Sequence, residues 1–453
     1  MTLDRAGGVP LHRQIETSLR DSIRSGRLVA GSALPASRVL AADLGVSRGV
    51  VVEAYQQLSA EGYVVGRAGG KTEVAAGIAP LPAAAAPASP AAPALRYDLS
   101  YGRADVAHFP RAAWLRALRA ALTDAPNDAF DYPAGPGMPQ LRGALAEYLN
   151  RVRGTSTEAA NIVVCTGYAQ GVGLVIQALA AGGARRVAVE DPSSGDDAVP
   201  VARAAGLQVI PVPVDDDGIR IEALQASDAD AVILTPAHQW PTGAVLSAAK
   251  RAAIVAWAHA RDALIIEDDY DAEYRYDGSP VGAMQGLAPD RVVYGGSASK
   301  TLAPGIRLGW LAAPPRWAKL LGEAKIAADR GSPALDQLAL ADLIRRGELD
   351  RHLRRMRPVY RRRRDVLLAA LRAQLPELTP AGISAGMHLL AWLPDELEEE
   401  TVIARAIAAG IRVDGVRPYR LSPDRRGGLV FGYAAINESA IPAAVAALAA
   451  AIR

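Results

Sequence analysis

Cysteine is almost missing from this chain: Cys165 is its one thiol in 453 residues. An internal disulfide framework is therefore excluded. With six scattered histidines and no close Cys/His pair, no structural zinc site is readable from spacing, and metal chemistry is not expected. Long apolar runs are lacking too, since the most apolar stretches, such as Val172 to Ala181, fall short of a bilayer span. The opening MTLDRAGG has no charged region followed by an apolar one. A soluble, cytoplasmic protein with no membrane partner is expected. An excess of one charge is also missing, because 50 Lys and Arg stand against 48 Asp and Glu. Bulk electrostatics thus gives no argument for nucleic acid, which must rest on local motifs. What is present is length and apolar content, 50% hydrophobic residues, enough for two or three domain-sized units.

Three parts follow along the chain. Residues 76–95, AGIAPLPAAAAPASPAAPAL, repeat Pro without apolar periodicity and read as an extended linker. Residues 1–75 are dense in helix signals and end in a short β pattern. Residues 96–453 alternate short apolar runs with helical segments, the pattern of a largely parallel α/β domain. Five runs end in polar clusters: NIVVC before TGYAQ, RRVAV before EDPSS, DAVIL before TPAHQ, ALII before EDDYD and RVVY before GGSASK. Ligands of open α/β sheets bind outside the carboxyl ends of strands, so these clusters are expected to converge on one site. From about Pro333 the chain reads as a smaller, mainly helical C-terminal subdomain with a late strand in GGLVFGYA.

In the first part, Leu11, Ile15, Leu19 and Ile23 recur at helical spacing before Ser25-Gly26. Two further helical patterns meet at Gly45-Val46, where Gly permits the tight turn of a helix-turn-helix, with Ser37 and Ser47 as N-caps. Recognition helices contact bases with their N-terminal residues, so Arg48 is placed to reach a guanine or a phosphate. Tyr63–Arg67 and Lys71–Val74 pair as a wing across Ala68-Gly69-Gly70, with Lys71 at the tip facing DNA. A plain three-helix bundle with solvated Arg is the bland alternative. The stretch from Val9 to Val74 resembles the GntR-type winged helix, through LPASRVLAADLGVSR and AYQQLSAEGY. The resemblance implies contacts to a double-stranded operator from Arg38, from Ser47, Arg48 and Gly49, and from the wing. There Gly70-Lys71-Thr72-Glu73 departs from the commoner Ser-Gly-Thr-Phe.

In the second part, SASKTLAPGIRLG presents Lys300 on a small-residue loop with Ser297 and Ser299, followed by Arg307. EDDYD offers Asp268 and Tyr270, and Thr166-Gly167-Tyr168-Ala169-Gln170 sits between a strand and a helix. These supply what pyridoxal phosphate needs. Lys300 suits the Schiff base, Asp268 the pyridinium nitrogen and Tyr270 the phenolic oxygen. Arg307 and the helix N-terminus at Gly167, Tyr168 and Ala169 suit the phosphate. Each fragment alone is weak, since a surface Lys or an acidic loop is common. Together they resemble fold-type I aminotransferases, and TPAHQWPTG, EDDYDAEYRY and RHLRRMR resemble the MocR/GabR regulators, from Pro10 to about Ala434 outside the linker. The resemblance implies a multi-domain chain: a winged helix-turn-helix plus an α/β aminotransferase domain of fold type I with a smaller C-terminal subdomain. It also implies a homodimer with sites at its interface, where Tyr132 reaches the partner's phosphate.

Three positions depart from relatives. Ser194 stands where many stack an aromatic ring on the cofactor, leaving Tyr168 or nothing in that role. Asp196 replaces the Arg of a GABA-sensing relative, and Val430 lies near the usual carboxylate-clamping Arg. Arg417, Arg420, Arg425 and Arg426 stay open as substitutes. The Arg-rich stretch from Arg351 to Arg364 reads either as a solvated, structural helix face or as an auxiliary DNA contact. The reading that uses both ends of the chain is a transcription regulator, not an enzyme, that senses pyridoxal phosphate or an amine or amino acid condensing with it. Its rivals are an aminotransferase with an accessory domain and a scaffold that has lost its cofactor.

Overall fold

The structure, a computed structural model, describes residues 1–67, 71–77, 95–132, 135–193, 195–276, 281–382, 384–423 and 426–453. The chain divides into two compact units, Met1–Ala91 and Ala92–Arg453. Most of the expected linker, residues 78–94, and the wing turn, residues 68–70, lie outside the described residues.

In the first unit the helix Leu11–Arg24 buries Ile15, Leu19 and Ile23, the stripe that the spacing demands. It packs with the helices Ser37–Leu44 and Arg48–Ala60 around Ala41, Val51, Ala54, Tyr55 and Leu58. Gly45 closes the middle helix at φ +62°, and Val46 N donates back to Ala41 O at 2.9 Å, the turn of the helix-turn-helix. One expectation fails here. Ala36 holds the cap position and Ser37 is already helical, while Ser47 caps by position but its hydroxyl makes no capping bond. Strand Val64–Arg67 pairs antiparallel with Lys71–Val74, Arg67 opposite Lys71, and Ala33–Leu34 adds a third strand.

The second unit is built on an eight-stranded sheet. In chain order its strands are β1 Ile162–Cys165, β2 Arg186–Asp191, β3 Gln208–Asp215, β4 Gly218–Ile219, β5 Ala231–Leu234, β6 Leu264–Asp268, β7 Val292–Ser297 and β8 Gly309–Ala312. The spatial order is β1-β8-β7-β6-β5-β2-β3-β4. β8 runs antiparallel to both neighbours, so β1, β7, β6, β5 and β2 all point one way. All five polar clusters consequently leave the same edge of the sheet. β1, β6 and β2 are apolar on both faces because helices cover both, including Tyr168–Ala181 on one side and Ala248–Arg261 on the other.

The C-terminal subdomain is less helical than the sequence suggests. Beside the 27-residue helix Glu348–Gln374 stands a four-stranded antiparallel sheet, ordered Thr379–Ala381, His388–Trp392, Gly428–Gly432, Asp414–Gly415. Tyr97–Asp98, at the start of this unit, pairs in parallel with Ile411–Arg412.

Candidate cofactor site and nucleic-acid interface

Lys300 sits in the short helix Ala298–Thr301 directly after β7. Its Nζ donates to Gly102 O at 2.8 Å and lies 4.9 Å from the centroid of the Tyr101 ring, two neighbours that sequence reasoning missed. Ser297 caps this helix, its Oγ accepting from Ser299 N at 3.0 Å and bonding Ser299 Oγ at 2.9 Å. Asp268 closes the adjacent strand β6, in register with Gly295 of β7. The Tyr168 ring lies over Gly295, where a Cβ would come within 2.5 Å of it, so that ring, Asp268 and Lys300 share one strand-end neighbourhood.

Asp268 is buried and accepts no side-chain hydrogen bond among the described residues. Burial first, and then the charge of Asp269, push its pKa well above the ordinary carboxylate range, with Lys300 pulling the other way. A ring N–H cation would supply the missing donor and restore the ionised form. Tyr270 donates through its hydroxyl to His238 O at 2.8 Å, and burial holds its pKa far above the usual value, so it stays a donor. Arg307 donates to Thr166 O at 2.9 Å. Gly167 has φ +86°, and a Cβ there would stand 2.9 Å from the Arg307 guanidinium, so the cradle tolerates only glycine. Tyr168 and Ala169 open the helix Tyr168–Ala181, whose first N–H groups have no intrahelical acceptor. An anion between them and Arg307 would meet donors on both sides. These residues fit pyridoxal phosphate. Asp197 is another the sequence left unmarked, for Lys300 and Arg307 both act on its carboxylate. Tyr132 is 84% exposed and is not brought into this cluster.

In the first unit, Arg38, Ser47, Arg48, Gly49 and Lys71 are all exposed. Arg48 Nε donates to Ser37 Oγ at 3.4 Å, which brings together the N-termini of both helices of the helix-turn-helix. Arg5, unmarked in the sequence, clamps the turn by donating to Leu44 O at 3.0 Å and Gly45 O at 2.8 Å.

Bacterial regulatory proteins of the gntR family match residues 11–74, and Aminotransferase class I and II matches residues 98–448. The probable rhizopine catabolism regulatory protein MocR of Rhizobium meliloti is 34% identical over 96% of this chain and 92% of its own. The chain belongs to the MocR/GabR family of regulators. Another relative, the HTH-type pyridoxine biosynthesis transcriptional regulator PdxR of Corynebacterium glutamicum, is 34% identical over 94% of this chain and 93% of its own. Among solved structures, Pyrococcus horikoshii kynurenine aminotransferase in complex with PMP is similar at TM-score 0.72 and 26% identity, covering 78% of this chain and 90% of that one. LysN of Thermus thermophilus, complexed with N-(5'-phosphopyridoxyl)-L-leucine, is similar at TM-score 0.72 and 25% identity, covering 78% and 91%. As a MocR/GabR regulator the chain has the fold-type I aminotransferase domain behind a GntR winged helix.

The remaining positions marked in the sequence now have surroundings. Val430 is fully buried against Trp240, Leu390 and Val416. Arg417 is engaged with Glu398 at 3.0 Å and Glu400 at 3.4 Å. Arg420 and Arg426 lie 5.7 and 4.5 Å from the Trp392 ring. Arg425 and Ser194 lie outside the described residues, and Asp196 is described only by its place in the helix Gly195–Ala204. Much of the Arg351–Arg364 stretch makes structural contacts: Arg363 with Asp105 at 2.7 Å, Arg357 with Glu273 O at 2.6 Å and Arg351 with Glu348 at 2.8 Å. Among the described residues no helix is long and apolar enough to cross a membrane.

Proposed function

We propose that this regulator acts in the cytoplasm as a homodimer, reading a double-stranded operator with residues 1–75 and gauging pyridoxal phosphate with residues 96–453 across a linker at 76–95. The observation that carries the sensing half is the pairing of Lys300 and the donor-starved Asp268 at the ends of adjacent strands. Lys300 holds the cofactor's carbonyl carbon, Asp268 its ring nitrogen and Tyr270 its phenolic oxygen. Gly167, Tyr168, Ala169, Ser297, Ser299 and Arg307 enclose its phosphate. Bound there, pyridoxal phosphate supplies an electrophilic carbon that amines attack. Arg38, Ser47, Arg48, Gly49 and Lys71 face the DNA.

The apolar surroundings of Val430 support the cofactor itself, or an amine not held through an α-carboxylate clamp, as the signal. They also argue for weak residual transamination at most. The dimer reading is supported by Leu115 and Leu122, each 58% exposed two turns apart on the helix Arg111–Asp124, with Phe130 at 57% and Tyr132 at 84% nearby in sequence. By the family resemblance, Tyr132 reaches the partner's phosphate.

The test is operator affinity of wild type and Lys300→Ala, with and without pyridoxal phosphate, at one salt concentration. Lys300→Ala should bind the operator and ignore the cofactor, because a ligand shifts an equilibrium only through differential affinity. A wild-type response in Lys300→Ala overturns the sensing mechanism.

A further inference from the structure

We infer that His238, Asp271 and His388 form a binding site for a divalent transition-metal ion of the zinc type. The three come from the loop after β5, the loop after β6 and the strand His388–Trp392. They are 3%, 1% and 3% exposed, and one donor atom from each lies within 4.8 Å of the others. His238 Nδ1 stands 3.2 Å from both Asp271 oxygens. Two imidazoles and a carboxylate are the donor set that zinc takes when a fourth position stays open, with metal–ligand distances of about 2 Å. Binding an ion there would require the donors, now within 4.8 Å of one another, to be drawn inward.

The independent sign of a missing ligand is His388. Its Nε2 contacts Pro241 O at 3.2 Å, which makes Nε2 the protonated nitrogen and Nδ1 the acceptor. That Nδ1 is buried and has no hydrogen-bond partner. A metal-bound imidazole typically has this arrangement, one nitrogen on the ion and the other N–H on a carbonyl that fixes the ring. Gly386, at φ +74°, permits the assembly, since a Cβ there would come within 2.2 Å of His238 Cε1 and 2.6 Å of Asp271 Oδ2. The Tyr270 hydroxyl is 3.2 Å from His238 Nδ1, so an ion held here would act on a residue that also faces the cofactor.

The experiment uses full-length, cofactor-free protein, stripped with a chelator and titrated with Co2+ as a visible probe, then with Zn2+ as competitor. The expected result is one cobalt per chain with a low-symmetry visible spectrum, displaced by zinc. His388→Gln, His388→Phe and Asp271→Asn should each weaken binding by at least about tenfold, while the exposed His259→Gln leaves it unchanged. Melting curves select the variants that remain folded, and His388→Phe keeps an aromatic ring among its aromatic neighbours. Absence of a cobalt spectrum in wild type, or equal binding by wild type and the folded His388 variants, overturns the site. Because no cofactor is present, neither outcome depends on the sensing mechanism.

Discussion

Arg153 and Asp269 form an ion pair at 2.7 Å between Nε and Oδ2, each side chain 1% exposed. Tyr294 donates to the same Asp269 oxygen at 2.7 Å. Removing one partner of a buried pair leaves the other charge uncompensated, so Arg153→Met should destabilise the protein by about 3–5 kcal/mol. Arg153→Met combined with Asp269→Asn should recover part of that loss, because no lone charge remains. Urea denaturation of both variants measures the difference, and equal losses would contradict the pairing.

Asp268→Asn should weaken cofactor retention and shift the visible absorption of the bound cofactor, since a neutral amide no longer favours a protonated ring nitrogen. Equilibrium dialysis with an absorption spectrum at fixed pH checks both. An unchanged spectrum with unchanged affinity would remove Asp268 from the site.

Arg48→Ala should cost about 1–3 kcal/mol of operator affinity through loss of a base or phosphate contact. The cofactor's visible absorption should not change, because its residues lie in the other unit. Competition against operators mutated at single positions separates a base contact from a phosphate contact: only the former relaxes specificity.

Glu190 gives a prediction with a sign. Burial lifts its pKa to about 7, against the opposing hydrogen bonds of Thr235 and Gln239. The folded state therefore keeps a proton that the unfolded chain releases near the ordinary glutamate value of 4.5. Its contribution to stability is present below that value, declines as pH rises toward about 7, and is flat beyond. The slope approaches about 1.4 kcal/mol per pH unit at most. Melting temperatures across this range should fall more shallowly in Glu190→Gln than in wild type.

The strand ends of the large sheet were legible because an apolar run buried on both faces stops abruptly where polar residues reach the ligand edge. Lys300 and Asp268 could be nominated for that reason, and Arg307 from its place seven residues after Lys300. Of the C-terminal sheet only Gly428–Gly432, expected in GGLVFGYA, was legible: Thr379–Ala381 carries Pro380, Asp414–Gly415 is two residues long, and His388–Trp392 is too short to separate from a buried helix turn. His238, Asp271 and His388 were illegible for another reason. Spacing rules detect ligands on one turn or loop, and these three meet only through the packing of the C-terminal sheet against the strand-end loops. Ser37 looked like a cap by residue type, yet Ala36 took the position, and the Ser37 hydroxyl instead meets Arg48.

The short parallel pairing of Tyr97–Asp98 with Ile411–Arg412 also decides which part of the second unit holds its first strand. Arg96 N and Tyr97 N donate to Gly410 O, and Leu99 N to Arg412 O, so residues 96–99 are moored to the C-terminal subdomain. The start of this unit is therefore stitched to a segment from near its end, and neither side of that pairing forms without the other.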